Sequence, residues 1–495
     1  MKRIKEQIQD KLLLFPILVL AVHFLMRIMD FAKIMFSYPL YSEAVTQLAQ
    51  LFFLDVCGFH SYCPYWYNGF TTFLVTPPMW YFFAYPFYAI SNSVLIGAYA
   101  SLIASYVVAF LGIYWLGNLI GLTPIKRVLF FVLVFANNIL IKNMSFGRFH
   151  EIFAWAMFII AFLLLVRYKD KKIDEKAILI AVFAALTITS HQSIGMLLMT
   201  FFVGFLLVKR GRELAKAVGL LVLTLGASAF WLIFAFMEAR KNVLGGNSFV
   251  GTEAWWSFPV GTFHFTSIGL IVIPVVVFLA FYSYYRITHK SIKEILFFLP
   301  ALGVMAFLWL GLMPFVPVMN VIFTNMYLQF AYILLAFFIV KTYPYEHEYR
   351  FGYLLGLSLI AIAMLAVNFL GTPWFQEPTS LENDLVKMGS TVHGKYAFLG
   401  SFPTTSLPPA YYGYFAIYNN LTTPGGWAPH MRNKEYLEKW VFFKKNEFTC
   451  EELQEHINYF KIRYLFAYDQ RCKALDKCDY VSEKEDNKAC LYKVA

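Results

Sequence analysis

Two short segments place ionisable side chains directly before apolar runs, where such groups are costly and therefore candidates for function. Glu43 precedes AVTQLAQLFFL, and Arg148, His150 and Glu151 fall in the segment GRFHE. A carboxylate at such a position can take a proton from a substrate or bind a metal ion. Glu43 and Glu151 are therefore the candidate catalytic residues, and Glu43, His150 and Glu151 are candidate ligands of a divalent metal, Mg²⁺ or Mn²⁺. The alternative for both glutamates is an acid favoured by the N-terminal dipole of a helix.

A second group of side chains is suited to binding a substrate. Arg148 is a cation able to bind phosphate, and His191 ends an apolar run in TSHQS. Trp255, Trp256 and Trp427 could stack on a sugar or a lipid. For the tryptophans the alternative is an aromatic anchor at the membrane–water interface, and for His191 it is a hydrogen-bonded interface residue.

These residue types match glycosyl transfer from a lipid-linked phosphate. The departing phosphate needs its charge neutralised, by a metal or by arginine and lysine. The acceptor hydroxyl or amide needs a carboxylate that takes or orients its proton.

The composition excludes an ordinary soluble enzyme. Of the 495 residues, 59% are hydrophobic and only 14% are charged, whereas soluble domains carry about 25% charged residues. The net charge of +11 arises entirely within residues 1–370, and residues 371–495 are neutral overall. Positive charge within a hydrophobic region reports membrane orientation, so no nucleic-acid partner is expected.

Apolar runs long enough to cross a bilayer recur from residue 12 to residue 370. They predict a polytopic α-helical membrane protein with about eleven transmembrane helices. The predicted spans are 12–34, 93–118, 124–141, 150–167, 176–190, 193–208, 215–236, 263–285, 294–312, 322–340 and 352–370.

Lysines and arginines are concentrated in alternate loops, beginning with Lys126 and Arg127. By the positive-inside rule these loops and the N-terminus are cytoplasmic. An odd number of spans then places residues 371–495 on the extracytoplasmic side. The segment 77–91 is interpreted as a short, proline-interrupted helix on the outer side.

All six cysteines fall in segments assigned to the outer side, where disulfides persist. Cys57 and Cys63 are expected to pair. The remaining four are expected to form two more bridges, with three possible connectivities; a zinc site is the alternative. These four are Cys450, Cys472, Cys478 and Cys490.

Two of the outer segments are expected to form regular secondary structure. In the long loop 35–92, the periodicity after Ser42 predicts an amphipathic helix lying along the membrane surface. Residues 371–495 predict an extracytoplasmic α/β domain. Its expected strands are 396–402, 411–420, 461–469 and 489–494, and its expected helices are 434–446 and 450–460.

The order of these parts resembles the GT-C superfamily of integral membrane glycosyltransferases. The resemblance rests on the acid-started helix of the long first loop, the segments YWYNGF and PPMWYF, GRFHE, the pair Ser190-His191, and the pair Phe230-Trp231. The superfamily includes oligosaccharyltransferases and protein O-mannosyltransferases, and the layout of this chain resembles theirs. The layout is closest to GT-C-like membrane proteins labelled as related to 6-pyruvoyl-tetrahydropterin synthase.

The resemblance implies a polyprenyl-phosphate-linked sugar as donor and a glycan, protein or lipid as acceptor. Membrane lipid and further membrane proteins are the other partners expected. It implies that Glu43 is a catalytic base or metal ligand and that Glu151 is the last acid of a second motif. Glu43 stands where the family has aspartate, His150 stands where an acid is common, and the WWDYG signature is absent. A full oligosaccharyltransferase is therefore disfavoured.

Two other classes of function stay open at this point. One is a non-catalytic GT-C-derived protein that binds a lipid-linked glycan or scaffolds an envelope assembly. The other is a transporter or lipid flippase. Charged residues are nearly absent from the predicted spans except Arg27 and Asp30, which are spaced to pair on one helix face.

Overall fold

Most of the chain is described by a computed structural model. The described residues are 11–37, 44–243, 265–288, 291–310, 312, 324–343, 350–370, 379–400, 408–426, 434–445, 447–468, 470–486 and 489–494.

Fourteen helices occupy the described part of residues 1–370, and a helix lies at each of the predicted spans. They are α1 (Leu14–Ser37), α2 (Ala44–Val56), α3 (Met79–Ser91), α4 (Val94–Leu119), α5 (Pro124–Phe135), α6 (Asn138–Ser145), α7 (Phe149–Tyr168), α8 (Ile178–Ser190), α9 (Gln192–Val208), α10 (Gly211–Val243), α11 (Phe265–Ile287), α12 (Ile292–Trp309), α13 (Thr324–Thr342) and α14 (Arg350–Leu370).

Among the described residues, five helices are long and apolar enough to cross a membrane. These are α1, α4, α7, α10 and α12. The count becomes six if α5 and α6, which meet at an angle of 51°, form one broken span. The protein is thus a helical integral membrane protein, but the predicted eleven spans exceed this count. The count covers the described residues only, and within it helices such as α8 and α9 have fewer than 18 residues.

Helix α7 forms the centre of the bundle. All of its residues except His150 and Arg167 are buried, and α4, α8 and α9 pack around it. A helix that is apolar on every side is stable only when other helices or lipid surround it. Helix α1, in contrast, leaves side chains such as Leu18 and Met29 exposed on one face, as expected for contact with lipid.

A buried ion pair joins the end of α7 to α12. Lys169 Nζ contacts a carboxylate oxygen of Glu294, and both residues are buried. The other oxygen of Glu294 accepts a 2.9 Å hydrogen bond from Tyr284 Oη in α11. The end of α7 is thus connected to two consecutive helices that lie more than 100 residues further along the chain, at the end of the bundle opposite to the start of α7.

Helix α2 forms as predicted, and its first two turns are buried within the protein. Its position along the membrane surface stays a prediction. Every residue from Ala44 to Leu51 is buried, including the polar residues Thr46, Gln47 and Gln50. Gln47 Oε1 accepts a hydrogen bond from Tyr81 Oη of α3. The polar side chains that suggested a water-exposed face instead form contacts within the protein.

The C-terminal region is an α/β domain, as predicted. Its strands are β3 (Tyr396–Phe398), β4 (Tyr464–Tyr468), β5 (Val481–Asp486) and β6 (Ala489–Lys493). They form one mixed sheet in the order β3-β4-β6-β5, with β3 parallel to β4 and the other pairs antiparallel. The helices are α15 (Ser380–Gly389), α16 (Pro408–Asn419), α17 (Lys434–Val441), α18 (Cys450–Phe460) and α19 (Gln470–Leu475).

The strand predicted at 411–420 is wrong, because these residues belong to α16. Aromatic residues favour strands, which is why YYGYFAIYNN suggested one. However, Tyr411, Tyr412, Phe415 and Ala416 are the residues buried in the core, and this spacing belongs to a helix. Strand β5 was not predicted, since its sequence VSEKED is polar.

The first loop contributes to the core of the C-terminal domain. It contains the short hairpin β1 (Tyr62–Cys63) and β2 (Phe70–Thr71). Trp66 is fully buried in that core, and its Nε1 donates to the backbone oxygen of Tyr412 at 3.1 Å. Tyr67 N donates to Gly425 O at 3.0 Å. The loop 35–92 was assigned to the membrane domain, but its middle part packs with residues 371–495.

The cysteines form three disulfides, as predicted. Cys57 pairs with Cys63, with 5.4 Å between their Cα atoms. The structure also selects one of the three open connectivities, Cys450–Cys478 and Cys472–Cys490. The second of these joins α19 to β6 within the core.

We expect the Cys472–Cys490 bridge to stabilise the domain. Replacing both cysteines with alanine should lower the free energy of unfolding by about 2–4 kcal/mol, since the bridge closes a loop in the unfolded chain. Thermal unfolding of the purified protein, followed by circular dichroism, measures this loss. Peptide mapping without reduction provides the control for connectivity: a peptide joining Cys472 to Cys450 would contradict the pairing.

Candidate functional site

A tight turn leads from α6 into α7. Gly147 has a backbone φ of +69°, which glycine adopts without strain. Its N–H donates to Met144 O at 2.8 Å, and Arg148 N donates to Asn143 O at 3.0 Å. The turn places the Arg148 and Glu151 side chains together at the first turn of α7.

Glu151 is buried, and each of its two carboxylate oxygens contacts another side chain. Its Oε2 accepts a 2.7 Å hydrogen bond from Asn143 Nδ2. Its Oε1 lies 3.5 Å from Arg148 Nη1, and the Arg148 side chain is 26% exposed. A buried carboxylate requires such partners, because an isolated buried charge is very costly. Glu151 therefore fixes the position of a cation that is still open to solvent.

His191 reaches the same place from another part of the chain. It is the single extended residue between α8 and α9, with φ −159° and ψ 111°. This break turns its imidazole towards α7, where it lies parallel to the ring of His150 with 5.4 Å between centroids. The buried Nδ1 atoms of both histidines have no hydrogen-bond partner among the described residues.

Three side chains thus form one compact group of donor atoms. One ligand-type atom each from His150, Glu151 and His191 lie within 4.8 Å of one another. We call these three residues, with Arg148, the α7 cluster. It combines a carboxylate, two imidazoles and a partly exposed guanidinium, which together can bind an anion or a cation and can move a proton.

The start of α2 packs between the turn that precedes α7 and the C-terminal domain. A Cβ atom at Gly147 would lie 2.2 Å from Ala44 Cβ, so these backbones are in close contact. On the other side, a Cβ at Gly413 of α16 would lie 2.6 Å from Val45 O. Two glycines therefore allow α2 to pack against both parts of the protein at its first two residues.

This packing predicts the effect of adding one methyl group. We expect Gly413→Ala to lower the free energy of unfolding by about 1–3 kcal/mol, because the new Cβ meets backbone that has no room to move. The matched control is Gly303→Ala in α12, where no atom of the described residues outside the helix's own backbone and the two neighbouring residues lies within 4 Å of the added Cβ. That change should stabilise the helix by up to about 1 kcal/mol. Equal unfolding temperatures for the two variants would contradict the close contact.

Of the predicted site residues, the structure brings together Arg148, His150, Glu151 and His191. His191 was expected to bind substrate, and it also lies at ligand distance from the other two. Glu43 directly precedes α2 in the sequence but lies outside the described residues. Trp255, Trp256 and Trp427 also lie outside them.

Asn143 is the site residue that sequence reasoning did not identify. It belongs to the motif Asn143-Met-Ser, which resembles a glycosylation acceptor, yet its side chain is buried against Glu151. The sequence signal for it was its position: Asn143 lies one helical turn before the GRFHE segment, where an amide side chain can reach the acid of that segment. The pair Arg27–Asp30, in contrast, forms as expected, at 3.6 Å.

Comparison with known proteins identifies no family for this chain. No protein-family model matches it, and no curated protein matches it significantly.

Proposed function

We propose that the protein is a membrane glycosyltransferase that transfers a sugar from a polyprenyl-phosphate-linked donor to an acceptor. The observation that carries the proposal is the α7 cluster. A cation fixed by a buried carboxylate stands beside two imidazoles, at the membrane-bundle end covered by the α/β domain. This arrangement supplies what a reaction at a lipid-linked phosphate needs: a positive charge for the phosphate and groups able to accept a proton.

In this reaction the bond between the anomeric carbon and the phosphate oxygen breaks. The electron pair leaves with the polyprenyl phosphate, where Arg148 stabilises the charge. Glu151 and Asn143 hold Arg148 in place. The acceptor oxygen or nitrogen forms the new bond to the anomeric carbon, and Glu43 takes the proton that the acceptor loses.

The proposal includes a GT-C-like architecture with eleven spans, a cytoplasmic N-terminus and an extracytoplasmic C-terminal domain. The supporting observations are helices at every predicted span and three disulfides on the side of the α/β domain. Disulfides favour an oxidising compartment for that side. The contact of Ala44 with Gly147 also supports it, because Glu43 directly precedes Ala44 in the sequence.

The test is donor consumption by the purified full chain in lipid vesicles. The probes are polyprenyl-phosphate and polyprenyl-diphosphate sugars, offered with glycan, peptide and lipid acceptors, and release of the lipid phosphate is measured by mass spectrometry. Arg148→Met should lower the rate by about 10²–10³-fold, the size expected for losing one charge-stabilising donor. Arg212→Met, an exposed arginine at the start of α10, should leave it unchanged. A wild-type protein that consumes no donor would reject the proposal and favour a scaffold or a transporter. An Arg148→Met variant with full activity would instead remove Arg148 from the mechanism.

A further inference from the structure

We propose that His150, His191 and Glu151 bind one divalent transition-metal ion, with Zn²⁺ or Co²⁺ preferred over Mg²⁺. The binding rests on geometry, whereas any use of the ion in catalysis rests on the function proposed above. Two imidazoles with one carboxylate form the ligand set of many catalytic zinc sites, which leave further positions open for a substrate.

The distances suit a site that closes around an ion. The three donor atoms lie within 4.8 Å of one another. Ligands at about 2.0–2.2 Å from Zn²⁺ in a tetrahedral arrangement lie roughly 3.5 Å apart. Rotations of the two imidazoles about their side-chain torsions would close the gap of about 1 Å without moving the helices.

Unsatisfied imidazole nitrogens provide a second, independent observation. His191 is only 7% exposed, and its Nδ1 is buried with no hydrogen-bond partner among the described residues. His150 Nδ1 is also buried and has no hydrogen-bond partner among the described residues. Buried polar atoms normally have a partner, and an orphaned one calls for an explanation. An ion bound between the two rings would explain both.

Glu151 retains the capacity to bind an ion. Asn143 donates to Oε2 and Arg148 lies at Oε1, and carboxylates that bind metal ions are commonly hydrogen-bonded in this way as well. Among the described residues, Arg148 is an unfavourable neighbour, because its positive charge repels a dication. The site should therefore bind metal less tightly than it would without this arginine.

The donor chemistry decides the class of metal. Imidazole nitrogen suits Zn²⁺ and related transition metals, whereas Mg²⁺ prefers oxygen ligands in octahedral geometry. Of the metals expected from the sequence, Mg²⁺ therefore fits this ligand set poorly.

The experiment measures metal binding directly. The tag-free full chain in detergent is stripped with a chelator and titrated with Co²⁺ and with Zn²⁺, following the Co²⁺ absorption bands and the bound metal per chain. We expect one ion per chain, with Mg²⁺ in excess unable to displace it. His191→Ala should weaken Zn²⁺ binding at least about tenfold, since even the loss of a supporting residue costs 10–100-fold. His150→Ala serves as a second variant at a half-buried position, should His191→Ala fail to fold.

Two further variants sharpen the test. His393→Ala, at an exposed histidine of the C-terminal domain, should bind Zn²⁺ like the wild type. Arg148→Met should bind it more tightly, because a repelling charge is removed. Unchanged binding in both His191→Ala and His150→Ala, or no binding by the wild type, would overturn the metal site.

The outcomes separate this inference from the proposed function. Metal binding that depends on His191 without donor consumption would support the site and reject the transferase. Donor consumption by a chain that binds no Zn²⁺ or Co²⁺ would support the transferase and reject the metal site.

Discussion

Replacing Glu151 with glutamine is expected to slow glycosyl transfer strongly while leaving the fold intact. Glutamine has nearly the same shape and still offers an oxygen to Asn143, so the buried position stays filled. The negative charge that holds Arg148 at 3.5 Å is lost, and the guanidinium is then free to turn towards solvent. We expect transfer to fall by about 10²–10³-fold, comparable to the loss of a positioned charge-stabilising donor.

The same vesicle assay of lipid-phosphate release measures this effect. The matched control is Glu175→Gln, an exposed carboxylate on the loop before α8, which should keep full activity. A Glu151→Gln variant that is folded and fully active would show that Glu151 only stabilises the N-terminus of α7 and has no role in transfer. Its thermal unfolding temperature, close to that of the wild type, distinguishes lost chemistry from lost structure.

Breaking the buried ion pair between Lys169 and Glu294 is expected to destabilise the bundle strongly. Lys169→Met leaves the Glu294 carboxylate buried with only the Tyr284 hydroxyl as its described partner, and an uncompensated buried charge costs about 3–5 kcal/mol. Thermal unfolding in detergent or lipid measures the loss. The double variant Lys169→Met with Glu294→Leu removes both charges and should recover most of it.

The control for this prediction lies next to the pair. Asp170 also contacts Lys169, but its side chain is 53% exposed, so Asp170→Asn should cost no more than about 1 kcal/mol. If Lys169→Met cost as little as Asp170→Asn, the pair would not connect α7 to α12. Donor consumption by folded Lys169→Met protein should remain normal, since this pair and the α7 cluster lie at opposite ends of α7.

Several features of this protein were determined by the sequence alone. Apolar runs mark helices at every predicted span, because segments of that composition can satisfy their backbone groups in a membrane only as helices. The cysteines predicted a disulfide-bonded domain, and three disulfides are present. Arg148, His150 and Glu151 were identifiable because they are neighbours in the chain, and the helix period brings positions three apart together.

Other features were decided only by tertiary structure. His191 meets His150 because α8 and α9 break at one residue and pack on α7, which no local pattern contains. The polar face of α2 is buried between two domains, and residues 411–419 form a helix although their aromatic composition predicted a strand. In each case the partner lies far away in sequence, and long-range packing outweighs local propensity by supplying most of the burial energy. The ends and lengths of the short helices follow from that packing as well, which hydropathy alone does not report.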